Sequence, residues 1–413
     1  MLSVLRNRTY RRLFTAQVVA LVGTGLATVA LSLLAYDLAG ADASAVLGTA
    51  LAIKMVAYVA IAPLAGAVAG RIPRRALMVA MDLTRAAVAL ALPFVTQVWQ
   101  VYVLIFLLQA ASAAFTPTFQ ATIPEVLPDE RDYTAALSMS RMAYDLESLF
   151  SPALAAGVLA FVSYGWLFAG TVVGFAASAA LVVSSVLPKP VAAESRRGVY
   201  AKAASGVRLF WATPQLRALL ALDLAVAATG AIVFVDTVGV VRDHFGRSAG
   251  AVSVALGAYG AGSIAVACLL PRVLARWGDR VVMLGAAYAF PVVLAAVAAV
   301  TAGSAGVGDW WGLLGAWAAI GAASSAVLTP GGRLIRRSAG DADLPAAFAA
   351  QFSLSHGCWL LTYPLAGWLA AAAGVPATAG VLGGVALAAA VTATVIWPVR
   401  DPVPAAAAPM VPA

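Results

Sequence analysis

Gly66 to Met78 reads GAVAGRIPRRALM. An apolar run stops there, Arg71, Arg74 and Arg75 crowd the break, and an apolar run resumes. Arg276 to Met283 reads RWGDRVVM in the same setting, so both breaks follow R-x-(P/G)-x-R-x-x-M. The chain is 62% hydrophobic and 11% charged over 413 residues. A soluble chain carries about 25% charged residues, so this one has too little polar side chain to cover a water-facing surface. Apolar runs of about 20 residues suit a bilayer crossing. Twelve are expected, at 12–36, 45–69, 76–96, 99–122, 136–161, 164–187, 215–240, 249–270, 281–302, 309–329, 345–371 and 375–397.

The formal net charge of +8 suggests a nucleic-acid partner until its distribution is read. Arg6, Arg8, Arg11, Arg12, the 71–75 arginines, Arg131, six basic residues of 189–217, Arg272, Arg276, Arg280, Arg333, Arg336, Arg337 and Arg400 fall on one set of alternate loops. The other set holds only Arg242 and Arg247, and Lys54, Arg85 and Arg141 fall within spans. Basic loops stay cytoplasmic during insertion. The charge therefore reads as topology: no nucleic acid, an inner (plasma) membrane protein, both termini cytoplasmic. The start, MLSVLRNRTYRRLF, precedes an apolar run too long for a signal core. It reads as the first helix.

The longest loop, 188–214, is basic and punctuated by proline, and six spans lie on either side. The expected organisation is an N-terminal bundle at 1–187, a cytoplasmic linker at 188–214, a C-terminal bundle at 215–400 and a disordered tail at 401–413. The halves resemble each other beyond the basic breaks. Span 4 ends FTP at Thr116-Pro117 and span 10 ends LTP at Thr329-Pro330; span 5 carries SPALAAG from Ser151 and span 11 YPLAGWL from Tyr363. Internal duplication of this kind marks secondary transporters, whose site lies between the repeats near the midplane.

Length, the six-plus-six layout, the central loop and the span 2–3 break resemble the major facilitator superfamily. Its loop pattern is roughly G-x-L-A-D-R-x-G-R-R, and Gly66, Arg71, Arg74 and Arg75 fit it. Gly70 stands in place of the acid and Pro73 in place of a glycine. Span 4 matches the proton-antiporter pattern R-x-x-Q-G only at Gln109, since Phe106 and Ala110 replace the Arg and Gly. The resemblance implies an all-α integral membrane fold of twelve helices in two six-helix repeats, with spans 1, 4, 7 and 10 lining the cavity and span 2 beside span 11.

A charge at a span centre costs about 2.5–3.5 kcal/mol, so it must be paired or face water. Arg141 and Asp145 of SRMAYDLESLFSP share a helix face and read as a structural pair. Glu147 lies about 200° round the helix from Asp145, which leaves it freer to carry a proton. Asp145, Asp223 and His356 are the other proton-coupling candidates. Lys54, Gln109, Tyr144, Gln351, Trp359 and Tyr363 are candidates for contacting substrate. Asp82 and Arg85 read as a structural pair docking on the 71–75 loop, and Asp236 as part of an outer gate or of the interface. Small residues in spans 8 and 10 read as close helix packing, and Trp310, Trp311 and Trp397 as interfacial anchors.

No Walker loop appears, no grouping suggests a hydrolase, and Cys268 and Cys358 make no metal spacing. The function read from the sequence is a non-enzymatic, monomeric secondary transporter without cofactor or metal. Its partners are a small molecule, protons and the bilayer. Proton-coupled efflux of an amphipathic, drug-like molecule comes first; export of a divalent metal or inorganic ion, or import of a nutrient, is the alternative.

Overall fold

A computed structural model describes residues 2–39, 43–69, 72–159, 161, 163, 165–187, 199–303, 306–340 and 343–398. Among them no strand occurs. Hydrocarbon offers backbone N–H and C=O groups no partner, so an apolar chain satisfies them within helices. The first half holds α1 (Arg8–Ala39), α2 (Ala43–Ala69), α3 (Arg74–Ala91), α4 (Val98–Val126), α5 (Glu130–Leu159) and α6 (Gly165–Val183). The expected linker loop carries a helix, α7 (Val199–Ala212). Then come α8 (Pro214–Ala231), the short α9 (Thr237–Gly239), α10 (Ala249–Ala302), α11 (Val307–Leu328), α12 (Gly331–Ser338) and α13 (Leu344–Ile396). Two π-helical turns, Ile232–Asp236 and Val240–His244, flank α9.

Among the described residues eight helical segments are long and apolar enough to cross a membrane, and Ala251–Ala302 and Leu344–Ile396 run 52 and 53 residues. Either is long enough for two passes. Each bends at a glycine with positive φ, Gly278 (70°) and Gly374 (80°), a region that other residue types enter only at a cost. Two of the expected inter-span loops are thereby reduced to single-residue bends. Each of the twelve expected spans overlaps helix among the described residues, while 95–96, 161 and 184–187 lie beyond the helix ends.

In the first half α1 packs on α6, α3 on α6 and α4, and α2 on α4; in the second, α10 packs on α11 and α8 on α13. The halves meet along two seams, α2 with α13 and α5 with α10. The linker helix α7 lies against both α2 and α13, so it touches both halves. Trp310 and Trp397 are buried rather than interfacial, at 6% and 2% exposure, because the Arg247 guanidinium covers Trp310 and Trp397 belongs to the second-half core. Trp311 is exposed.

Small residues let α10 and α11 touch backbone to backbone. A Cβ added at Gly262 would lie 1.9 Å from the Ala318 carbonyl oxygen, and one at Gly321 1.9 Å from that of Tyr259. Nothing lies within 4 Å of a Cβ at Gly257. Gly262→Val and Gly321→Val should each destabilise the protein by about 1–3 kcal/mol, read as a lower melting temperature in detergent. Gly257→Ala should leave the melt unchanged; equal melts for all three variants would contradict this packing.

Candidate functional site

Polar side chains gather mid-helix between the halves. Gln17 of α1 bonds Ser140 of α5 at 2.9 Å and also Tyr144 of α5. Tyr58 of α2 donates to Gln109 of α4 at 3.0 Å. The Lys54 ammonium sits 5.6 Å from the Tyr58 ring and within electrostatic reach of Glu147 and His356. His356 crosses the α2/α13 seam edge-on to Tyr58 at 4.7 Å, and its Nδ1 faces the Phe352 carbonyl at 2.7 Å. Lys54, Tyr58, Gln109, Tyr144, Glu147 and His356 all keep accessible surface at mid-helix. They are thus not sealed in a packed core.

Besides this polar wall there is an aromatic one, from the second half. Phe234 of the first π turn packs on Tyr259 of α10 at 5.4 Å and on Trp359 of α13 at 5.9 Å. Trp359 packs on Tyr363 at 5.0 Å. Phe234 is 46% exposed although it lies within a helix rich in buried residues. The Trp359 ring rests on Gly230 of α8, where a Cβ would lie 2.3 Å from it.

The remaining sequence candidates separate into knots of their own. Arg141 and Asp145 pair at 2.9 Å, and Ser263 of α10 joins both, at 3.1 Å to Arg141 and 2.5 Å to Asp145. That knot fixes the α5/α10 seam, and Glu147 points to the α2 side instead. Asp223 does not line the space between the halves. It is 2% exposed and accepts from Gln351 at 2.7 Å, which engages both candidates within the α8/α13 interface. Asp82 and Arg85 pair, but they do not dock on the 71–75 loop. Ser178 of α6 donates to Asp82 at 2.8 Å, and the Arg85 guanidinium is sandwiched between Phe115 and Phe175 at 4.4 and 4.5 Å. A buried ion pair offsets its desolvation only where further neighbours satisfy its remaining donors and acceptors, which Ser178 does here for Asp82. Asp236, 7% exposed, lies in the first π turn beside Thr237, which accepts from Trp317 Nε1 at 2.8 Å.

The arginine-rich end ties the halves together. Gly66 of α2 meets Pro345, Ala346 and Ala349 of α13, and Arg75 donates to the Ser185 carbonyl at 2.5 Å. Arg71 lies outside the described residues. Arg74, at the start of α3, pairs with Glu125 near the end of α4. The second half repeats this clasp with its signs reversed. Asp279 holds the place of Arg74 and pairs with Arg333 at 3.3 Å and Arg337 at 2.6 Å, both on α12. The reversal has a consequence: both arginines also reach Glu130, the first residue of α5 in the other half. Arg336 adds a bond to the Pro128 carbonyl at 2.6 Å. The sequence signal for this clasp is the single acid in RWGDRVVM where RIPRRALM has a base. Gln17, Tyr58, Ser263 and Phe234 carry no sequence signal of their own, since each is an ordinary residue until the helices bring it to a partner.

A sequence profile of the Major Facilitator Superfamily matches residues 13–240, more than half of the chain. The chain belongs to the major facilitator superfamily. It is a multi-pass membrane transporter of that family. Over 110 residues it is 27% identical to an uncharacterized MFS-type transporter, YfiS, of Bacillus subtilis (strain 168). That stretch is 27% of this chain and 26% of the relative, so the match spans about a quarter of the relative's length. The fold is similar to that of the human organic anion transporter MFSD10 (TETRAN), with a TM-score of 0.76 at 14% identity over 94% of this chain and 99% of that one. It is similar also to the Escherichia coli fucose:proton symporter FucP, with a TM-score of 0.71 at 14% identity over 94% and 98%. A bacterial homologue of the iron transporter ferroportin in its outward-facing state gives 0.72 at 13% identity over 94% and 98%. Identities this low establish the shared fold.

Asp279, 4% exposed, is shared by two arginines, so removing one leaves a guanidinium beside it and removing both takes away the two charges that the clasp brings to it. Arg333→Ala and Arg337→Ala should therefore be non-additive. The double variant should lose about 0.5–3 kcal/mol more than the two single losses together, measured by denaturation in detergent. Strict additivity would remove the shared clasp.

Proposed function

We propose that this superfamily member is a proton-coupled exporter of an amphipathic small organic molecule. The reading rests on one observation: the first half carries a polar wall (Gln17, Lys54, Tyr58, Gln109, Tyr144, Glu147) and the second an aromatic wall (Phe234, Tyr259, Trp359, Tyr363), and Tyr58 meets His356 where the halves join. Ligand sites combine apolar and aromatic lining with a few placed polar groups that fix orientation. A ring-bearing molecule with a charged or hydrogen-bonding head suits both walls, and Lys54 with Glu147 offers either sign of charge to that head.

The same reading places the arginine-rich end in the cytoplasm of an inner-membrane protein acting as a monomer, with both chain ends on that side. The state described is then closed toward the cytoplasm by the Glu130–Arg333–Arg337–Asp279 clasp and by α7. Alternating access requires that clasp to part. Protons are the coupling ion in this reading because acids lie within the spans and no ATP-binding loop occurs in the sequence. Of the proton-coupling candidates, Asp145 is tied to Arg141 and Ser263, and one nitrogen of His356 is engaged by its own helix. Export of a metal is less well supported: no group of three His, Cys, Asp or Glu gathers among the described residues.

The test is transport by purified protein in liposomes under an imposed pH gradient. Amphipathic fluorescent cations and anions serve as cargo, with fucose and a divalent metal as controls. Gradient-dependent movement of an amphipathic probe is expected, and Trp359→Ala should weaken its apparent affinity about tenfold, the loss of about 1.4 kcal/mol of ring contact. Movement of sugar or metal with none of the amphipathic probes would defeat the substrate reading. Movement indifferent to the gradient would defeat the coupling.

A further inference from the structure

Asp82, Asp145 and Asp279 are buried, and each lies against a guanidinium. Asp223 is as deeply buried, yet among the described residues no cation pairs with it. Its one bond is the 2.7 Å donation from Gln351 Nε2 to Oδ2. The other oxygens of these two groups, Asp223 Oδ1 and Gln351 Oε1, are both buried and both lack a hydrogen-bond partner. Two orphaned acceptors on two groups already joined by a bond make a specific defect. An ionised carboxylate here would be an uncompensated charge in hydrocarbon, and two acceptors without a hydrogen cannot bond.

We propose that Asp223 is a proton-binding site, and that in this state its carboxylic acid closes an acid–amide ring with Gln351. A hydrogen on Oδ1 donates to Gln351 Oε1 while Gln351 Nε2 donates to Oδ2. One proton thus satisfies every orphaned atom of the pair and removes the buried charge. Turning the amide over does not evade the requirement: Oε1 would then face Oδ2, and again only a proton between them makes a bond. The proton enters from bulk water and returns to it on the other side; no other bond forms or breaks. Gln351 is the positioning residue, since its amide offers the donor and the acceptor that a carboxylic acid needs.

The surroundings fit a site that releases its proton only when helices move. Among the described residues, the Cys358 thiol of α13 lies within electrostatic reach of Asp223. Loss of the proton therefore leaves an anion facing a thiol and an amide oxygen, and the α8/α13 interface must admit water to hold it. That interface also carries the aromatic wall. Trp359 rests on Gly230, seven residues along α8 from Asp223 and eight along α13 from Gln351. Opening the ring and shifting the wall are thus movements of one interface. The assignment rests on the proton-coupled reading above and names the group that carries the proton.

Infrared spectroscopy of the purified protein tests it directly. The wild type at neutral pH should show the absorbance of a protonated carboxyl group that Asp223→Asn removes and Asp236→Asn leaves. Asparagine reproduces both bonds of the ring, so Asp223→Asn should fold, melt within a few degrees of the wild type and still exchange substrate across a membrane without a gradient. Accumulation driven by a pH gradient should fall at least tenfold. Gln351→Leu should fold and move the midpoint at which the carboxyl band titrates. A spectrum without any carboxyl band sensitive to Asp223→Asn would overturn the site, as would gradient-driven transport that survives Asp223→Asn. An unmoved midpoint in Gln351→Leu would overturn the ring. A sensitive band in a protein whose transport ignores the gradient would instead keep the site and overturn the coupling proposed above.

Discussion

A polar or charged group inside hydrocarbon has no water to fall back on, and this requirement for an internal partner orders the whole molecule. Backbone groups meet it by forming helix throughout the described core. Side chains meet it in compact knots. Arg85 lies between two phenyl rings with Asp82 beneath it, Arg141 and Asp145 take in Ser263 from the other half, and Asp279 gathers two arginines. Replacing such ions by apolar residues is often neutral or stabilising. Their value here is positional: each knot fixes which helices touch and at what depth.

The two halves carry matching sequence motifs, yet they do different work. Arg74 with Glu125 closes a clasp inside the first half, and Asp279 with Arg333 and Arg337 closes the matching clasp with its charges exchanged. Exchange of sign turns two arginines toward the seam, where Glu130 of the other half meets them. A duplicated element thereby becomes a connection between duplicates. The walls between the halves diverge in the same manner. The first half supplies amides, a lysine and a glutamate, and the second supplies four aromatic rings. Two like surfaces would select a ligand that is uniformly polar or uniformly apolar; two unlike surfaces select one that is both.

Pattern reading identifies a residue's type and depth, and stops short of its neighbours. Arg141 and Asp145 are four apart on one helix, so their pairing is legible from spacing alone, whereas Ser263, 118 residues from Asp145, is not. Asp82 and Arg85 are equally legible as a pair, but the loop expected to receive them is replaced by Phe115, Phe175 and Ser178 from two other helices. Trp310 and Trp397 sit at span ends, where tryptophan commonly anchors at the interface, and tertiary contacts bury them instead. Asp223 and Gln351 read separately as acids and amides near a cavity; that they consume one another depends on α8 lying against α13.

The amino-acid sequence by itself determined the solvent, the helical class and the twofold repetition. These follow from local quantities, since apolar run length, loop charge and short repeated motifs are properties of neighbouring residues. Only the tertiary structure decided which polar group meets which. It reduced two expected loops to bends at Gly278 and Gly374, set Asp145 against Ser263 of the other half, and left two oxygens of the Asp223–Gln351 pair without a hydrogen-bond partner. The physical reason is range. Transfer from water to lipid acts on each residue where it stands, while a hydrogen bond or ion pair in the bilayer exists only after distant helices have brought two atoms within about 3 Å of each other.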